Sequence, residues 1–488
     1  MPLIHRVLPP TPPATLEDYR ATGGGKGLQA ALATDADTVI AEIEASGLRG
    51  RGGAGFPTGQ KWRAVAANRS SELTTTVVVN GAEGEPGTFK DRTILRTNPH
   101  AVVEGALIAA STVGATQVVF GLKHTFAPEL ARLRAAVDDA RAAGWADGIE
   151  VIVFEGPEEY LYGEETALLE AVDGRMPFPR IAPPFRRGVT EVVEGDADLW
   201  SRSGLSAHVE MAAPDAGIIA PPTLVNNVET LANVPAVVAR GAAWFRSEGT
   251  DESPGTIVCT VTGSTVRAGV GEIAMGTPLR DVIELVGGGV RPGHRVKAVA
   301  TGVSNAVLSE EQIDTPVSYE AMAAIGSGLG SAGFVVFDDE VDMVAVAAGA
   351  SRFLAVESCG QCRPCKQDGL AIADLLAGIC RSEAGEHDLD LVHERLQFVA
   401  DGARCFLAYQ QQNVIGSILD QFGTEVEAHL SGGAAPVEPA LVSELVDVEG
   451  DVAVLNEDHV RKQPDWTYDE EYSGQAPADR DAEHRAAS

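Results

Sequence analysis

Apolar and polar positions along the first half of the chain predict strands and helices that follow one another, as they do in an α/β domain. Residues 73–79 form a run rich in β-branched side chains, which predicts a strand buried on both faces of a sheet. Residues 118–122 and 149–154 predict two more strands. Between them, Asn98-Pro99 predicts the start of a helix and Gly114 its end. The pattern therefore predicts a mainly parallel sheet in an α/β layer.

The pattern changes after about residue 250. Short apolar runs separated by glycines, with one helix near 278–286, predict a small α+β module. Apolar spacing at 370–376 and 391–407 predicts a helical domain. Residues 431–488 contain fourteen Asp and Glu residues but only four Lys and Arg residues, and they have little periodic apolar content. We therefore divide the chain into five parts: an N-terminal extension (1–34), an α/β domain (35–250), an α+β module (251–340), a helical domain (341–430) and an acidic, partly disordered tail (431–488).

Charge and apolar length exclude two classes of partner. The 488 residues include 37 Lys and Arg and 70 Asp and Glu, a formal net charge of −33. Such a surface repels phosphate backbones, so we predict no nucleic-acid partner. The longest apolar stretch, 105–122, contains Ser111, Thr112, Thr116 and Gln117, which disfavours a membrane span. With few cysteines and no signal-peptide pattern, the chain is predicted to be cytoplasmic, without direct membrane insertion and at most peripheral to a membrane complex.

Four cysteines carry the strongest chemical signal. Cys359, Cys362 and Cys365 are separated by two residues each, and Cys405 lies alone farther along the chain. Three thiolates on one short loop with a remote fourth are typical of a [4Fe–4S] site, whereas structural zinc more often binds two separated pairs. We expect Pro364 to prevent a helix from starting inside the motif, which would leave N–H groups free to donate to sulfur. The spacing favours an iron–sulfur cluster, with zinc as the alternative.

A second candidate site is the glycine-rich stretch 47–62. It contains a G-x-G-x-x-G match at 50–55, but a helix is predicted before it, where a dinucleotide fingerprint needs a strand. Its glycines let backbone N–H groups approach an anion closely, and Arg49, Arg51 and Lys61 add positive charge. We therefore predict a phosphate-bearing cofactor at this loop, the alternative being a flexible surface loop.

Three further segments are predicted to converge on that loop. Residues 80–87 follow the strand at 73–79 and so lie at a carboxyl strand end, where open α/β sheets bind ligands. Residues 160–166 and 226–230 each open a helix, whose unpaired N–H groups suit phosphate. Each segment taken singly is also explained by ordinary helix capping. Their joint presence beside a cysteine motif favours one redox pocket.

These four segments and the cysteine motif closely resemble the NADH-binding, FMN-containing 51 kDa flavoprotein subunit of respiratory complex I, whose relatives occur in NAD-reducing hydrogenases and NAD-dependent formate dehydrogenases. The resemblance covers about residues 40–430. It implies a Rossmann-like FMN-binding α/β domain, a β-grasp module of the soluble-ligand-binding type and an α-helical bundle carrying a [4Fe–4S] cluster. It also implies hydride transfer from NADH to FMN and single-electron transfer through the cluster. The implied acceptor is a partner subunit, such as a thioredoxin-like [2Fe–2S] protein or a ferredoxin, in a quinone- or ferredoxin-linked chain.

The resemblance further implies roles for individual residues. The family's flavin contacts fall on Gly50, Arg51, Gly52, Lys61, Asn80, Glu83, Tyr160, Gly163, Glu164, Val225, Asn226, Asn227 and Thr230. Its nicotinamide neighbourhood falls on Phe56, Glu85, Glu165 and Phe185, of which Glu85 and Glu165 are the candidate catalytic residues. Its cluster ligands fall on Cys359, Cys362, Cys365 and Cys405.

The chain departs from the family pattern on the nucleotide side. Ala82 stands where Asp is usual, Ala64 where an aromatic is usual and Ala182 where Lys is usual, and an insertion follows Phe185. A lost aromatic stack and a lost cation both weaken nucleotide binding. Two alternatives therefore stay open. One is the same scaffold with a different electron donor or acceptor, and the other is a zinc-stapled scaffold subunit without catalysis.

Overall fold

The computed structural model describes residues 2–69, 73–180 and 222–487. Its first sheet has four parallel strands in the order β3-β2-β1-β4, so the predicted parallel sheet is confirmed. The strands are β1 (Thr76–Gly81), β2 (Gln117–Lys123), β3 (Glu150–Gly156) and β4 (Thr223–Asn227). Val77 and Val79 pack into the core on one face of the sheet and Val78 into the core on the other. The β-branched run at β1 is continuous because both faces of the strand are buried.

Helices cover this sheet on both sides. They are α1 (Leu16–Ala21), α2 (Lys26–Leu32), α3 (Ala36–Ser46), α4 (Thr58–Ala67), α5 (Lys90–Thr97), α6 (Pro99–Val113), α7 (Ala127–Ala142), α8 (Glu165–Val172), α9 (Val228–Arg240) and α10 (Ala242–Phe245). Helix α6 ends at Gly114 in the left-handed conformation, with φ +71°, as predicted. It crosses α9 so closely that a Cβ at Gly105 would lie 2.0 Å from the Leu231 carbonyl oxygen. The apolar stretch 105–122 is therefore a buried helix and strand.

The α+β module is built on a five-stranded sheet in the order β6-β5-β9-β7-β8. Strand β5 pairs parallel with β9 and antiparallel with β6, while β7 pairs antiparallel with β8 and β9. A parallel central pair flanked by two antiparallel partners, with one helix after the first hairpin, is the β-grasp arrangement predicted for this module. Its elements are β5 (Thr256–Gly263), β6 (Gly269–Ala274), α11 (Leu279–Gly287), β7 (Val296–Ala300), β8 (Leu308–Ser309), a 3₁₀ turn (Glu310–Gln312), α12 (Tyr319–Ala324) and β9 (Gly333–Asp338).

The helical domain follows directly. It consists of α13 (Met343–Glu357), α14 (Arg363–Cys380), α15 (Glu386–Phe398), α16 (Leu407–Gln421) and α17 (Gly423–Leu430). Helix α13 is its centre, because nearly all of its residues are buried and it packs against both α14 and α16. In the described ranges, no helix is both long enough and apolar enough to cross a bilayer.

The acidic segment 431–488 differs from the prediction of a partly disordered tail. It is described through residue 487 and contains β10 (Leu445–Glu449), β11 (Val452–Leu455), a 3₁₀ turn (Glu457–Arg461) and α18 (Pro477–Ala487). It lies across the other domains: Glu444 pairs with Lys123 at 2.5 Å, and the Leu445 carbonyl accepts from Arg92 at 2.5 Å. Its buried side chains pack individually against the other domains and do not form a continuous apolar face. They therefore leave no helical or strand period in the sequence, which is why composition alone was misleading.

Trp466 shows how firmly this segment is held. Its φ of +65° is rare for a residue with a bulky side chain. The indole Nε1 donates to the Val356 carbonyl at 3.0 Å, and the ring packs 5.8 Å from that of Phe178. Strained backbone of this kind persists only where surrounding contacts fix it. The indole therefore fastens the segment to the end of α13.

We expect Trp466→Ala to lower the free energy of unfolding by about 2 kcal/mol, because it removes a packed ring and leaves the Val356 carbonyl without its donor. Urea denaturation measures the change. Tyr472→Ala is the matched control, since Tyr472 belongs to the same segment and is 40% exposed. An effect of Trp466→Ala no larger than that of the control would show that the segment is not anchored here.

Candidate functional site

The site is built at the carboxyl ends of β1 and β4. Strands β2 and β4 flank β1 on opposite sides, so the chain changes direction across the sheet at this point, where open α/β sheets bind ligands. In the register of the two strands, Val79 pairs with Asn226 and Asn80 with Asn227. Two predicted segments, 80–87 and 226–230, are therefore brought side by side.

The glycine-rich loop lies against this edge. A Cβ at Gly52 would come within 3.2 Å of the Asn227 Cβ, so a side chain there would require Asn227 to shift by a few tenths of an ångström. The loop is closed by a hydrogen bond from the Gly50 N–H to the Phe56 carbonyl at 2.8 Å. The N–H groups of residues 52–56 donate to no acceptor in the described part of the chain. A run of free N–H groups is a suitable cradle for a phosphate.

Arg51 holds the loop in place and is not free to bind an anion. Its N–H donates to the Thr230 hydroxyl at 2.9 Å, which ties the loop to the start of α9. Its guanidinium is 1% exposed and donates to the carbonyls of Pro254 and Thr256. It also donates to the Tyr319 hydroxyl at 3.3 Å. Arg51 and Thr230 thus lie in the predicted site, with both side chains bonded to the protein.

Lys61 and Glu165 form the next layer of the site. The Lys61 ammonium donates to the Glu165 carboxylate at 2.9 Å, which joins the loop helix α4 to the start of α8. Phe56, in the loop that leads into α4, is half-buried. On β4, the Asn226 side chain accepts a hydrogen bond from the Trp62 indole at 2.9 Å, and the neighbouring Val225 is buried in the sheet.

Glu83 and Glu164 serve as helix caps. The Glu83 carboxylate accepts from the N–H groups of Asp91 and Arg92 and from the Arg92 guanidinium, at 2.9, 3.3 and 3.1 Å. The Glu164 carboxylate accepts from the N–H groups of Thr166 and Ala167, both at 2.9 Å. Burial raises the pKa of Glu164, and these hydrogen bonds oppose the rise. Both carboxylates are therefore occupied by the protein.

Gly163 and Asn80 connect the two segments that carry these caps. The Asn80 amide donates to the Gly163 carbonyl at 2.8 Å, and the Ala82 N–H donates back to the Asn80 side chain at 3.1 Å. A Cβ at Gly163 would lie 2.9 Å from the Ala82 carbonyl oxygen. Hence 80–87 and 160–166 meet as predicted. Phe185 lies outside the described residues.

A buried charge network under Asn227 was not predicted from the sequence. The Lys90 ammonium contacts Asp91 at 2.7 Å and Glu229 at 3.0 Å, and it donates to the Asn227 side chain at 3.3 Å. Asn227 in turn donates to Asp91 at 2.6 Å and accepts from the Glu229 N–H at 2.9 Å. The network therefore fixes the orientation of the Asn227 amide. Adjacent charged residues two positions before an apolar pair, in Lys90-Asp91-Arg92-Thr93-Ile94-Leu95, were the only available hint.

Glu85 and Tyr160 form a junction of all three domains. The Tyr160 hydroxyl donates to the Glu85 carboxylate at 2.6 Å. From the β-grasp module, the Val303 N–H and the Ser304 hydroxyl donate to the other carboxylate oxygen, both at 2.7 Å. From α16, the Gln410 amide donates to the Tyr160 and Ser304 oxygens, both at 2.8 Å. Burial raises the pKa of Glu85, and the bonds from Tyr160, Ser304 and Val303 oppose the rise.

We expect Tyr160→Phe to raise the pKa of Glu85 further, because the lost hydroxyl is the strongest of the donors that stabilise the carboxylate. Glu85 will then stay protonated to a higher pH. The measurement is an infrared pH titration of the carboxyl band that Glu85→Gln removes. Tyr409→Phe, at an exposed tyrosine on the same helix as Gln410, is the control and should leave the band unchanged. An unshifted band in Tyr160→Phe would contradict the junction.

The four predicted cysteines line a single cavity in the helical domain. Its wall consists of Leu161, Pro179, Ser358, Cys359, Cys362, Cys365, Ala403, Arg404, Cys405, Leu407 and Ala408. Among the described residues, no three of the cysteine sulfurs lie within 4.8 Å of one another. A tetrahedral zinc with Zn–S bonds of about 2.3 Å would draw all four closer than that. The donor set therefore fits a larger iron–sulfur cluster better than a zinc ion.

Helix α14 corrects the expectation for Pro364. The helix begins at Arg363, inside the motif, with the proline in its first turn. Proline is tolerated there because first-turn N–H groups have no partner within the helix. Burial raises the pKa of Cys365 to about 12 and also raises the pKa of Cys359 and Cys405. Metal binding at this cavity must therefore displace thiol protons.

The cavity is in contact with the flavin-side residues. Leu161, which lines it, lies in the same 3₁₀ turn (Tyr160–Gly163) as Tyr160 and Gly163. The Tyr160 N–H donates to the Glu357 carboxylate at 3.1 Å, and Glu357 ends the helix that leads into the cysteine loop. The two candidate sites thus share one turn of the chain.

Known proteins match both sites. Residues 43–236 match the family model of the Nuo51 FMN-binding domain, and residues 345–429 match the NADH-ubiquinone oxidoreductase-F iron-sulfur binding region. The chain is 36% identical over 435 residues to the F subunit of NADH-quinone oxidoreductase from Streptomyces coelicolor, a match that covers 87% of this chain and 90% of the relative. It is 34% identical over 446 residues to NADP-reducing hydrogenase subunit HndC of Solidesulfovibrio fructosivorans, a match that covers 89% of this chain and 85% of the relative.

A solved structure agrees with these relatives. The crystal structure of NAD+-reducing [NiFe]-hydrogenase in the H2-reduced state matches with a TM-score of 0.71 and 30% sequence identity, and the match covers 86% of this chain and 67% of that chain. The chain therefore belongs to the family of the NADH-quinone oxidoreductase F subunits, flavoproteins that combine an FMN site with a [4Fe–4S] cluster.

Proposed function

We propose that this protein takes a hydride from a reduced nicotinamide nucleotide onto FMN and passes single electrons through its [4Fe–4S] cluster to a partner subunit. Bound FMN supplies the chemistry that joins these steps, since a flavin accepts two electrons together and releases them one at a time. The Glu85–Tyr160–Gln410 contact carries the proposal, because it links the flavin-side loops directly to the helix that follows Cys405.

The glycine-rich loop is proposed to bind the FMN phosphate through the free N–H groups of residues 52–56. Asn80, Asn226 and Asn227 present amides at the strand ends, and their orientation is fixed by the partners described above. Five of the other flavin residues act through their backbone or by holding the loops in position: Gly50, Arg51, Thr230, Glu83 and Glu164. Such pre-organised sites lose little entropy when the cofactor binds.

Glu85 and Glu165 are proposed to face the nicotinamide with Phe56 and Phe185. Neither carboxylate needs to transfer a proton for hydride transfer to occur. Their role is to orient the nucleotide and to exclude water, and the Lys61–Glu165 ion pair limits how far Glu165 can move. Cys359, Cys362, Cys365 and Cys405 are the proposed cluster ligands.

A partner subunit is proposed as the electron acceptor. The relatives named above are subunits of NADH-quinone oxidoreductases and of a hydrogenase. By family precedent, the partner is a thioredoxin-like [2Fe–2S] protein or a ferredoxin, and the whole assembly is quinone- or ferredoxin-linked.

The donor is tested by anaerobic titration with NADH and, separately, with NADPH. The two named relatives differ in whether NADH or NADP stands in their names, so both nucleotides are needed. We expect NADH to bleach the flavin band in the blue and then to reduce the broad iron–sulfur absorbance. Bleaching by NADPH but not by NADH would identify NADPH as the electron donor. A flavin that neither nucleotide reduces would support the same scaffold with a different donor, and a colourless, zinc-containing protein would overturn the proposal.

A further inference from the structure

Lys366 is a buried cation directly beneath the cysteine loop. It follows Cys365 in the chain and is 4% exposed. Its ammonium donates to the carbonyl oxygens of Ala355, Val356 and Ser358 at 2.9, 3.2 and 2.8 Å. All three of its donors are therefore used, and the last acceptor immediately precedes Cys359. In the sequence, Lys366 and its last acceptor thus adjoin two of the four cysteines, Cys365 and Cys359.

The Lys366 ammonium is hydrogen-bonded to main-chain carbonyls rather than to a carboxylate. In the described part of the chain, no carboxylate oxygen lies within 4.0 Å of its ammonium. Asp368, the nearest acidic residue in the sequence, is paired with Arg395 at 2.6 Å. The Glu357 carboxylate is already bonded to Lys462 at 2.8 Å and to His459 at 3.0 Å. The carboxylate of Glu357 is therefore engaged by other groups and is not bonded to Lys366. A buried charge without a bonded counter-ion is costly, so a negative group bound at the cysteine loop would stabilise it.

We infer that Lys366 is the counter-charge of the [4Fe–4S] cluster and raises the cluster's reduction potential. This inference rests on the proposed function. A cluster held by four thiolates carries net negative charge, which increases by one when the cluster is reduced. A fixed cation close by therefore stabilises the reduced form more than the oxidised form. Lys366 is a positioning residue that tunes electron uptake without touching the substrate.

A second role of Lys366 must be separated from this one. Ala355 and Val356 lie in the last turn of α13, where carbonyl groups lack helical partners, so Lys366 also caps that helix. Glutamine at this position keeps an amide that can donate to two carbonyls and removes the charge. Arginine keeps the charge. The two variants therefore distinguish a cap from a counter-charge.

The experiment compares Lys366→Gln and Lys366→Arg in the full chain with its cofactors. Iron and labile sulfide are measured first, and the cluster midpoint potential is then determined by redox titration followed by electron paramagnetic resonance. In Lys366→Gln we expect the ratio of reduced to oxidised cluster at a fixed solution potential to fall about tenfold, a change of about 59 mV for one electron. Lys366→Arg should stay close to the unmodified protein.

Lys297→Gln is the matched control. Lys297 also donates to a main-chain carbonyl, that of Val341, but it does so at the opposite end of α13, about 20 Å away along the helix. Its substitution should leave the potential unchanged. Loss of iron in Lys366→Gln with retention in Lys366→Arg would also support the inference. Equal potentials in both variants, loss of iron in both, or an equal shift in the control would overturn it. An unmodified protein without iron would instead overturn the proposed function.

Discussion

Replacing Cys405 with serine is expected to remove iron from the protein while leaving FMN bound. Cys405 lines the cysteine cavity, whereas the flavin loops are held by separate contacts around β1, β4 and Tyr160. Electron delivery to a one-electron acceptor should fall by more than the roughly 10–100-fold that loss of an outer partner of a metal site costs. Reduction of the flavin by nucleotide should persist. Iron, labile sulfide and FMN per chain are the measurements, together with acceptor reduction.

Cys380→Ser is the control for that experiment. Cys380 lies in the same helical domain and is fully buried, but it does not line the cavity. Its substitution should leave the iron content unchanged. Loss of flavin together with iron in Cys405→Ser would show that the two sites are not independent. Loss of iron in Cys380→Ser would mean that the ligand assignment is wrong.

Replacing Lys90 with methionine is expected to lower the free energy of unfolding by about 3–5 kcal/mol, because it leaves Asp91 and Glu229 buried without their shared cation. Burial already raises the pKa of Asp91 to about 6, and Lys90 is the main influence that opposes the rise. Without Lys90, the pKa of Asp91 in the folded protein rises further above its unfolded value. Protonation then stabilises the folded variant at low pH, and this stabilisation is lost as the pH increases.

The loss of free energy of unfolding caused by Lys90→Met should therefore be smaller at pH 5.5 than at pH 8. Urea denaturation at the two pH values measures it. Lys26→Met is the control, since Lys26 is exposed at the start of α2, which packs against α6 and α9, and its loss should change the stability by less than about 0.5 kcal/mol. FMN content should fall with Lys90→Met, because Asn227 loses a fixed partner. A deficit independent of pH would argue against buried, uncompensated carboxylates.

Periodicity predicted those parts of the fold in which the apolar pattern repeats. Strand β1 was evident because its β-branched run is buried on both faces, and α6 because proline and glycine mark its two ends. The acidic segment was mispredicted because it is held by scattered contacts: Lys462 and Trp466 bind at the end of α13, and Leu445 binds at Arg92. Single contacts of that kind have no period.

The site was predictable at the level of segments and less so at the level of side chains. The four loops converge as expected because strand ends and helix starts determine where they lie. The direction of each side chain depends on contacts distant in sequence. Arg51 is bonded to Pro254 and Thr256, and the Lys90 network depends on Glu229. Pairings of this kind become visible only when the backbone is known.

The way residues 476–478 close over the cysteine loop has a consequence for biosynthesis. The Ala478 N–H donates to the Cys359 carbonyl at 2.9 Å, and the Ala476 Cβ would lie 2.2 Å from a Cβ added at Gly360. These residues leave the ribosome long after the loop has been made. A chain synthesised only as far as the helical domain therefore lacks this cover over the cysteine loop.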